Sequence, residues 1–208
     1  MEKIKDILAK FDPIHLDEMD RVKLMNRVDE KYILNRNELE GILKDAAAYY
    51  YTLEIKNKRL LGYRTLYFDT PDKKMYTAHQ NGKKNRYKIR KREYIIDDQS
   101  FLEIKFKSNK GKTEKKRIKN SILDSKFTNK ETDFINTVAS MKSEDLVPSL
   151  KNRFSRITLV HKTDKERVTI DLELGFENPD GETRDIPFLC IIEVKREKIS
   201  IKSDIIKI

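Results

Sequence analysis

Hydrophobic residues recur at every second position along most of the chain from residue 50 onward. The stretches YYTLEI (50–55), YRTLYFDT (63–70), NRYKIRKREY (85–94) and SFLEIKFKS (100–108) read as β-strands. So do KTEKKRIK (112–119), RFSRITLVHK (153–162), RVTIDLEL (167–174) and FLCIIEVKRE (188–197). The pairs Asn81-Gly82, Asp97-Asp98, Lys110-Gly111 and Asp180-Gly181 mark turns between several of them. Before residue 50 the spacing is mostly helical. Ile4, Ile7, Leu8 and Phe11 share one helix face within 2–11, and Met19, Val22 and Met25 share another within 17–26. A strand, DEKYILN (29–35), follows. Asn37, with Glu40 three residues on, then reads as the cap of a helix carrying Leu39, Ile42 and Leu43. A short helix after Pro71 and a longer one over 129–142, with Phe134, Val138 and Met141, interrupt the strands. Strands joined by short turns predict a mostly antiparallel sheet and an α+β class. Without an internal repeat or a Pro/Gly-rich linker, residues 1–208 read as a single domain.

The second face of each strand carries the chemistry. In NRYKIRKREY, Arg86, Lys88, Arg90 and Arg92 line up on one side, against Tyr87, Ile89, Lys91 and Glu93. In SFLEIKFKS, Glu103, Lys105 and Lys107 oppose Leu102, Ile104 and Phe106. Lys115 and Arg117 alternate with Lys116 and Ile118. Arg167, Thr169, Asp171 and Glu173 oppose Val168, Ile170, Leu172 and Leu174, while Ile191, Glu193, Lys195 and Glu197 oppose Cys190, Ile192 and Val194. Any one such strand is ordinary, with an apolar face inside and a charged face in water. A wetted face normally mixes both signs, however, and two of these are strongly cationic. A closed antiparallel barrel of about eight strands accommodates the whole set, with its apolar face outward under helices and a charged lumen. Lumen cations would bind a polyanion, and a few carboxylates would hold a divalent metal. Lys91 and Glu93 on the apolar side place the Tyr94 end of its strand at the rim, which favours Lys88 and Arg90 over Arg92.

Composition narrows the partner. The 208 residues are 38% hydrophobic and 38% charged, with a net charge of +10 and a pI near 9.4. Such a surplus points to a polyanionic ligand. No apolar run approaches a transmembrane segment, and MEKIKDILAK lacks a signal-peptide core. The single cysteine, Cys190 in FLCII, reads as a buried thiol of a reducing compartment, so the chain is expected in the cytoplasm. His15, His79 and His161 have no metal-ligand spacing, and no glycine-rich phosphate loop is present. Asp69 in YFDTP reads first as a cap for the helix after Pro71. Tyr63, Tyr67, Tyr87 and Tyr94 read as packing before base stacking.

The ordered series RVDEKYIL, LYFDTPD, NRYKIRKREY, FLEIKFKSNKGKTEKKRI, SRITLV, RVTIDLELGF and IIEVKRE resembles the VTC domain. That is the catalytic domain of polyphosphate polymerases, within the triphosphate tunnel metalloenzymes. The resemblance implies a tunnel of antiparallel strands that binds ATP, triphosphate or polyphosphate with Mn²⁺ or Mg²⁺. It implies transfer of the γ-phosphoryl of ATP to a growing polyphosphate chain, with a membrane-protein partner as a further possibility. By the same resemblance Lys31, Lys88, Arg90, Lys105 and Arg156 are the catalytic set. Arg86, Arg92, Lys107, Lys115, Lys116, Arg117, Arg167 and Lys195 are phosphate-binding, with Lys115 and Lys116 alternatives for one family position. Glu193 resembles the metal-binding glutamate, joined by Asp171 and Glu103. For Asp171 and Glu173, metal ligation and pairing with tunnel cations both remain open. The family's last helix and strand are not found after SDIIKI, where Ser203 resembles a helix N-cap. Two other readings stand beside the polymerase: a triphosphatase acting on inorganic or nucleoside triphosphate, and a non-catalytic binder of polyphosphate or inositol phosphates. The hydrolase branch carries an E-x-E-x-K motif where this chain reads DEKYIL. Nucleic acid is disfavoured, because cations inside a lumen cannot reach a duplex. On this reading Arg90→Ala and Lys105→Ala abolish phosphate binding with little loss of stability.

Overall fold

The computed structural model describes residues 1–19, 28–120, 123–197 and 203–208. The expected helix over 17–26 lies largely outside them. Among the described residues are helices α1 (Glu2–Leu8), α2 (Leu39–Ala46), α3 (Lys74–Gln80), α4 (Asn129–Val138) and α5 (Asp204–Lys207). The strands are β1 (Pro13–Ile14), β2 (Val28–Asn35), β3 (Tyr50–Leu53), β4 (Leu61–Asp69), β5 (Arg86–Tyr94) and β6 (Gln99–Lys107), followed by β7 (Thr113–Asn120), β8 (Val147–His161), β9 (Glu166–Glu177), β10 (Thr183–Ile186) and β11 (Leu189–Arg196). None of the helices is long and apolar enough to cross a membrane. The chain forms two compact units: Met1–Gly62 with Phe154–Leu174 and Asp185–Ile208, and Tyr63–Arg153 with Gly175–Arg184.

Unit one is a ladder in the order β2-β11-β9-β8, with β3 antiparallel to β8 and β1 parallel to β3. The period-two residues Val168, Ile170, Leu172, Cys190, Ile192 and Val194 are all buried, together with Ile157 and Leu159 of β8. They pack against Ile4, Ile7 and Leu8 of α1, Leu39 and Leu43 of α2, and Ile205 of α5. Each such aliphatic side chain contributes about 1.5–3 kcal/mol when fully buried. The cap of the second helix sits two residues earlier than expected. Asn35 and Asn37 both begin an Asn-x-x-Glu sequence, but the strand ends at Asn35, and its Oδ1 accepts from Asn37 N at 3.0 Å. Glu38 answers by accepting from Asn35 N at 2.9 Å, so a 3₁₀ turn over Arg36–Glu38 precedes α2.

Unit two is a β4-β5-β6-β7 ladder, antiparallel throughout, with α3 and α4. Leu66, Phe68, Ile89, Leu102 and Ile104 bury one face with Met75 of α3 and Ile135 of α4. Asp69 does cap α3: its carboxylate accepts from Met75 N at 2.9 Å and Tyr76 N at 2.8 Å. Thr128 caps α4 in a capping box with Glu131. Asp98, Gly82, Gly111 and Gly181 all take positive φ, as their turns require.

The closed barrel of about eight strands is corrected in two respects. Among the described residues eleven strands form, because Pro13–Ile14 and Thr183–Ile186 also pair. They are too short, and the second too polar and exposed, to show a period. Hydrogen bonds also do not close the sheet among the described residues. The unit-two ladder stops at β7, whose Lys115, Lys116, Arg117 and Lys119 are all exposed. Lysine-rich strands of this kind are the usual unpaired edges of sheets.

The placing of Tyr94 at a rim is corrected as well. Lys91 is 1% exposed and Arg92 8%, whereas Lys88 is exposed. Lys91 belongs to the core face, where its Nζ bonds Lys126 O at 2.6 Å and Glu131 at 3.1 Å. A buried lysine costs little only while its partner stays. Glu131→Ala is therefore expected to lose about 3–5 kcal/mol in urea unfolding, and Lys91→Met with Glu131→Gln to recover most of that. A loss below about 1 kcal/mol for Glu131→Ala contradicts the pairing.

Candidate functional site

Directly opposed residues of an antiparallel ladder point to the same side, so register assembles the site. In unit two Arg86 opposes Lys107, Lys88 opposes Lys105, Arg90 opposes Glu103 and Arg92 opposes Phe101. One strand further, Lys105 opposes Lys115, Glu103 opposes Arg117 and Phe101 opposes Lys119. The shared face of β5, β6 and β7 thus gathers Arg86, Lys88, Arg90, Arg92, Lys105, Lys107, Lys115, Arg117 and Lys119 around a lone carboxylate, Glu103. Lys116 opposes Ile104 and stands on the other face, which separates it from Lys115.

Glu103 is 1% exposed and serves two cations. Arg90 approaches one of its oxygens with Nε at 2.8 Å and Nη2 at 2.7 Å, and Lys115 pairs with the other. Burial alone would raise the Glu103 carboxyl, but the Arg90 charge and the Lys115 bond outweigh it and hold it below the usual carboxylate range. Burial lowers the Lys115 ammonium, and the Arg90 and Arg92 charges push the same way. Strand β4 supplies partners that periodicity did not identify. Tyr67 Oη accepts from Arg90 at 3.3 Å, and Thr65 Oγ1 accepts from Arg92 at 3.3 Å. Burial pushes the Tyr67 phenol up, yet the charges of Arg90, Arg92 and Lys88 bring it down overall. His79 of α3 lies 3.3 Å from Lys88 Nζ, and Phe101 lies beneath the Arg117 guanidinium.

Unit one has a face of another kind. Lys31 opposes Glu193, Asp29 opposes Lys195, Lys195 opposes Arg167, and Glu193 opposes Thr169. Glu193 takes a bond from Lys195 and lies 3.7 Å from Lys31, whose side chain is 65% exposed. Burial would raise Glu193, but Lys195, Lys31 and Arg156 hold it low. Arg156 clamps Asp171 with two bonds of 2.5 and 2.6 Å, so pairing is the role Asp171 fills here. Ser155 donates to Glu173 at 2.6 Å, and Glu173 sits at φ 56°, a strained setting for a strand residue. No three His, Cys, Asp or Glu side chains gather as a metal cluster among the described residues. Magnesium-like ions need only one or two carboxylates when phosphate oxygens supply the rest. Glu193 fits that use. Thr169 Oγ1, buried on the same face directly across the ladder, has no hydrogen-bond partner among the described residues.

The profile of the VTC domain matches residues 26–207. No curated protein matches the chain. Among solved structures it resembles a candidate adenylate cyclase from Bacillus halodurans, at 12% identity and TM-score 0.49, covering 83% of this chain and 81% of that one. It also resembles a candidate adenylyl cyclase from Hippeastrum, described as having a dominant triphosphatase activity, at 15% identity and TM-score 0.48, covering 84% and 80%. A conserved hypothetical protein from Pyrococcus furiosus aligns at 9% identity and TM-score 0.45, covering 88% and 83%.

The Glu103 pairs revise the expectation that Arg90→Ala spares the fold, since that change removes a partner from a buried carboxylate. They also set the response to acid. A carboxyl held low in the folded state contributes stability above its ordinary pKa of about 4.3 and loses it as pH falls through the lower folded value. Glu103→Gln should therefore cost about 2–4 kcal/mol at pH 7 and flatten the acid limb of the stability curve. Urea titrations from pH 7 to pH 3 check this, and an unchanged acid limb contradicts it.

Proposed function

The chain belongs to the VTC domain family, and from that membership and its cation face we propose a metal-dependent phosphotransferase of the polyphosphate polymerase type. It binds ATP, triphosphate or polyphosphate and transfers the γ-phosphoryl of ATP to a growing polyphosphate chain. The observation that supports this most is the unit-two face, with nine cations and one carboxylate on three adjoining strands. Phosphoryl transfer needs positioning and charge neutralisation more than covalent chemistry, and a row of Arg and Lys offers both. Arg90 is held in place by Glu103 and Tyr67. Lys88 and Lys105, opposed and exposed, are placed to meet phosphate oxygens first. Lys115 shares the phosphate load, and Arg86, Arg92 and Lys107 extend the row.

On unit one, Lys31, Arg156, Arg167 and Lys195 are proposed as further phosphate contacts. Glu193, with the Thr169 hydroxyl, would hold Mn²⁺ or Mg²⁺ together with phosphate oxygens. Such an ion supplies charge neutralisation on the phosphoryl group. The sole cysteine, Cys190, is buried, and from the sequence's lack of a disulfide framework we place the protein in the cytoplasm or at the cytoplasmic face of a membrane through a partner.

Incubation with ATP and Mn²⁺ should yield ADP and long-chain polyphosphate, read on a polyacrylamide gel. Lys105→Ala should lower product by about 10²-fold, the scale for loss of one charge-stabilising group, with little change in melting temperature. Phosphate release without polymer assigns the triphosphatase reading instead. Tight binding of triphosphate without turnover assigns the non-catalytic reading.

A further inference from the structure

Arg90, Arg92 and Arg117 each lie over a ring, but of these three arginines Arg117 alone is exposed. The carboxylate directly across the ladder from it, Glu103, is already held by Arg90 and Lys115. Arg117 lies instead over the ring of Phe101, its diagonal neighbour on β6, at 4.6 Å from the ring centre. Phe101 meets the edge of Tyr94 at 5.8 Å and 88°, and Tyr94 meets Tyr63 at 5.2 Å and 63°. Arg92 covers Tyr63 at 5.7 Å. Three strands therefore deliver a file of rings to the cation face, on the side opposite the apolar core of Leu66, Ile89, Leu102 and Ile104. Tyr63 is buried there, whereas Tyr94 and Phe101 stay half-buried and lie outside the apolar core.

A guanidinium already seated on a ring is fixed in plane, and Arg117 is exposed. Nucleobases stack on such planes and on aromatic rings, with tolerance for base identity. Lys115, two residues away on the same strand face, is about 6.6–7 Å off, a separation a sugar can bridge between phosphate and base. We propose that Arg117 on Phe101 is a stacking platform for the base of a nucleoside triphosphate whose phosphates lie along Lys115, Lys105 and Lys88. This rests on the phosphate-binding role given above and adds selectivity for a nucleotide over an inorganic chain. It also moves Arg117 from phosphate contact to base contact.

The test is titration calorimetry of the whole chain with ATP and with inorganic tripolyphosphate, on the wild type, Arg117→Lys and Phe101→Leu. Arg117→Lys keeps the charge and removes the plane, on an exposed residue whose change leaves the core intact. In both variants the ratio of ATP affinity to tripolyphosphate affinity should fall about tenfold, the scale of one lost base stack. Lys105→Ala should weaken both ligands in step. An unchanged ratio in Arg117→Lys, or equal weakening of the two ligands, overturns the platform while leaving the phosphate site standing. A wild type that binds neither ligand overturns the phosphate site and the platform with it.

Discussion

Repulsion between like charges governs this molecule. Neighbouring cations on a strand face stand about 7 Å apart, and at an effective dielectric of about 20 each pair opposes folding by about 2 kcal/mol. Unit two carries nine such groups on three strands. It tolerates them for two reasons. The opposite face buries Leu66, Ile89, Leu102 and Ile104 against α3 and α4. Glu103, at the middle of the array, pairs with two cations from different strands at once and offsets one of their two charges. What remains is a surplus of positive charge, and under the proposed function a polyanion would relieve it on binding, turning the sheet's least favourable feature into affinity.

Unit one solves a different problem with the same residue types. Lys31, Arg167 and Lys195 share a face with Asp29, Asp171 and Glu193 by register, and Arg156 reaches it through Asp171, four cations to three carboxylates. Its pairs are largely satisfied internally. A phosphate there must displace a carboxylate, whereas in unit two it meets cations in excess. Under the proposed function the nearly balanced face would exchange partners and the unbalanced one would capture phosphate.

Strand faces were legible because period two needs no knowledge of neighbours: each apolar set from Val168 to Val194 is buried as its spacing predicts. Asp69 was legible too, because capping is a local matter. What escaped depends on chain distant in sequence. Lys91 looked like a rim residue because Glu131, forty positions on, is invisible from within its strand. The saturation of Glu103 needs the register of three strands, and the choice between Asn35 and Asn37 as cap needs the strand's end point. Barrel closure was inferred from facial chemistry, which cannot report whether edge strands such as β7 find partners.

The order of residue types along β5 adds one more step. Arg92 is nearly buried, Arg90 is half-buried, and Lys88 is exposed. A guanidinium is weakly hydrated and keeps its charge when partly desolvated, while an ammonium loses proton affinity on burial. Lys115 illustrates the latter, its ammonium lowered first by burial even with Glu103 beside it. Arg86, like Arg90, is half-buried, so arginine takes the desolvated positions of the file and lysine the exposed one, an assignment that keeps the whole file charged. The buried arginines are locked by Tyr67, Thr65 and Tyr63, and so present fixed donors, whereas Lys88 and Lys105 retain mobile ones. Under the proposed function, mobile exposed charges would capture a flexible phosphate chain first and the fixed, less exposed ones would orient it second.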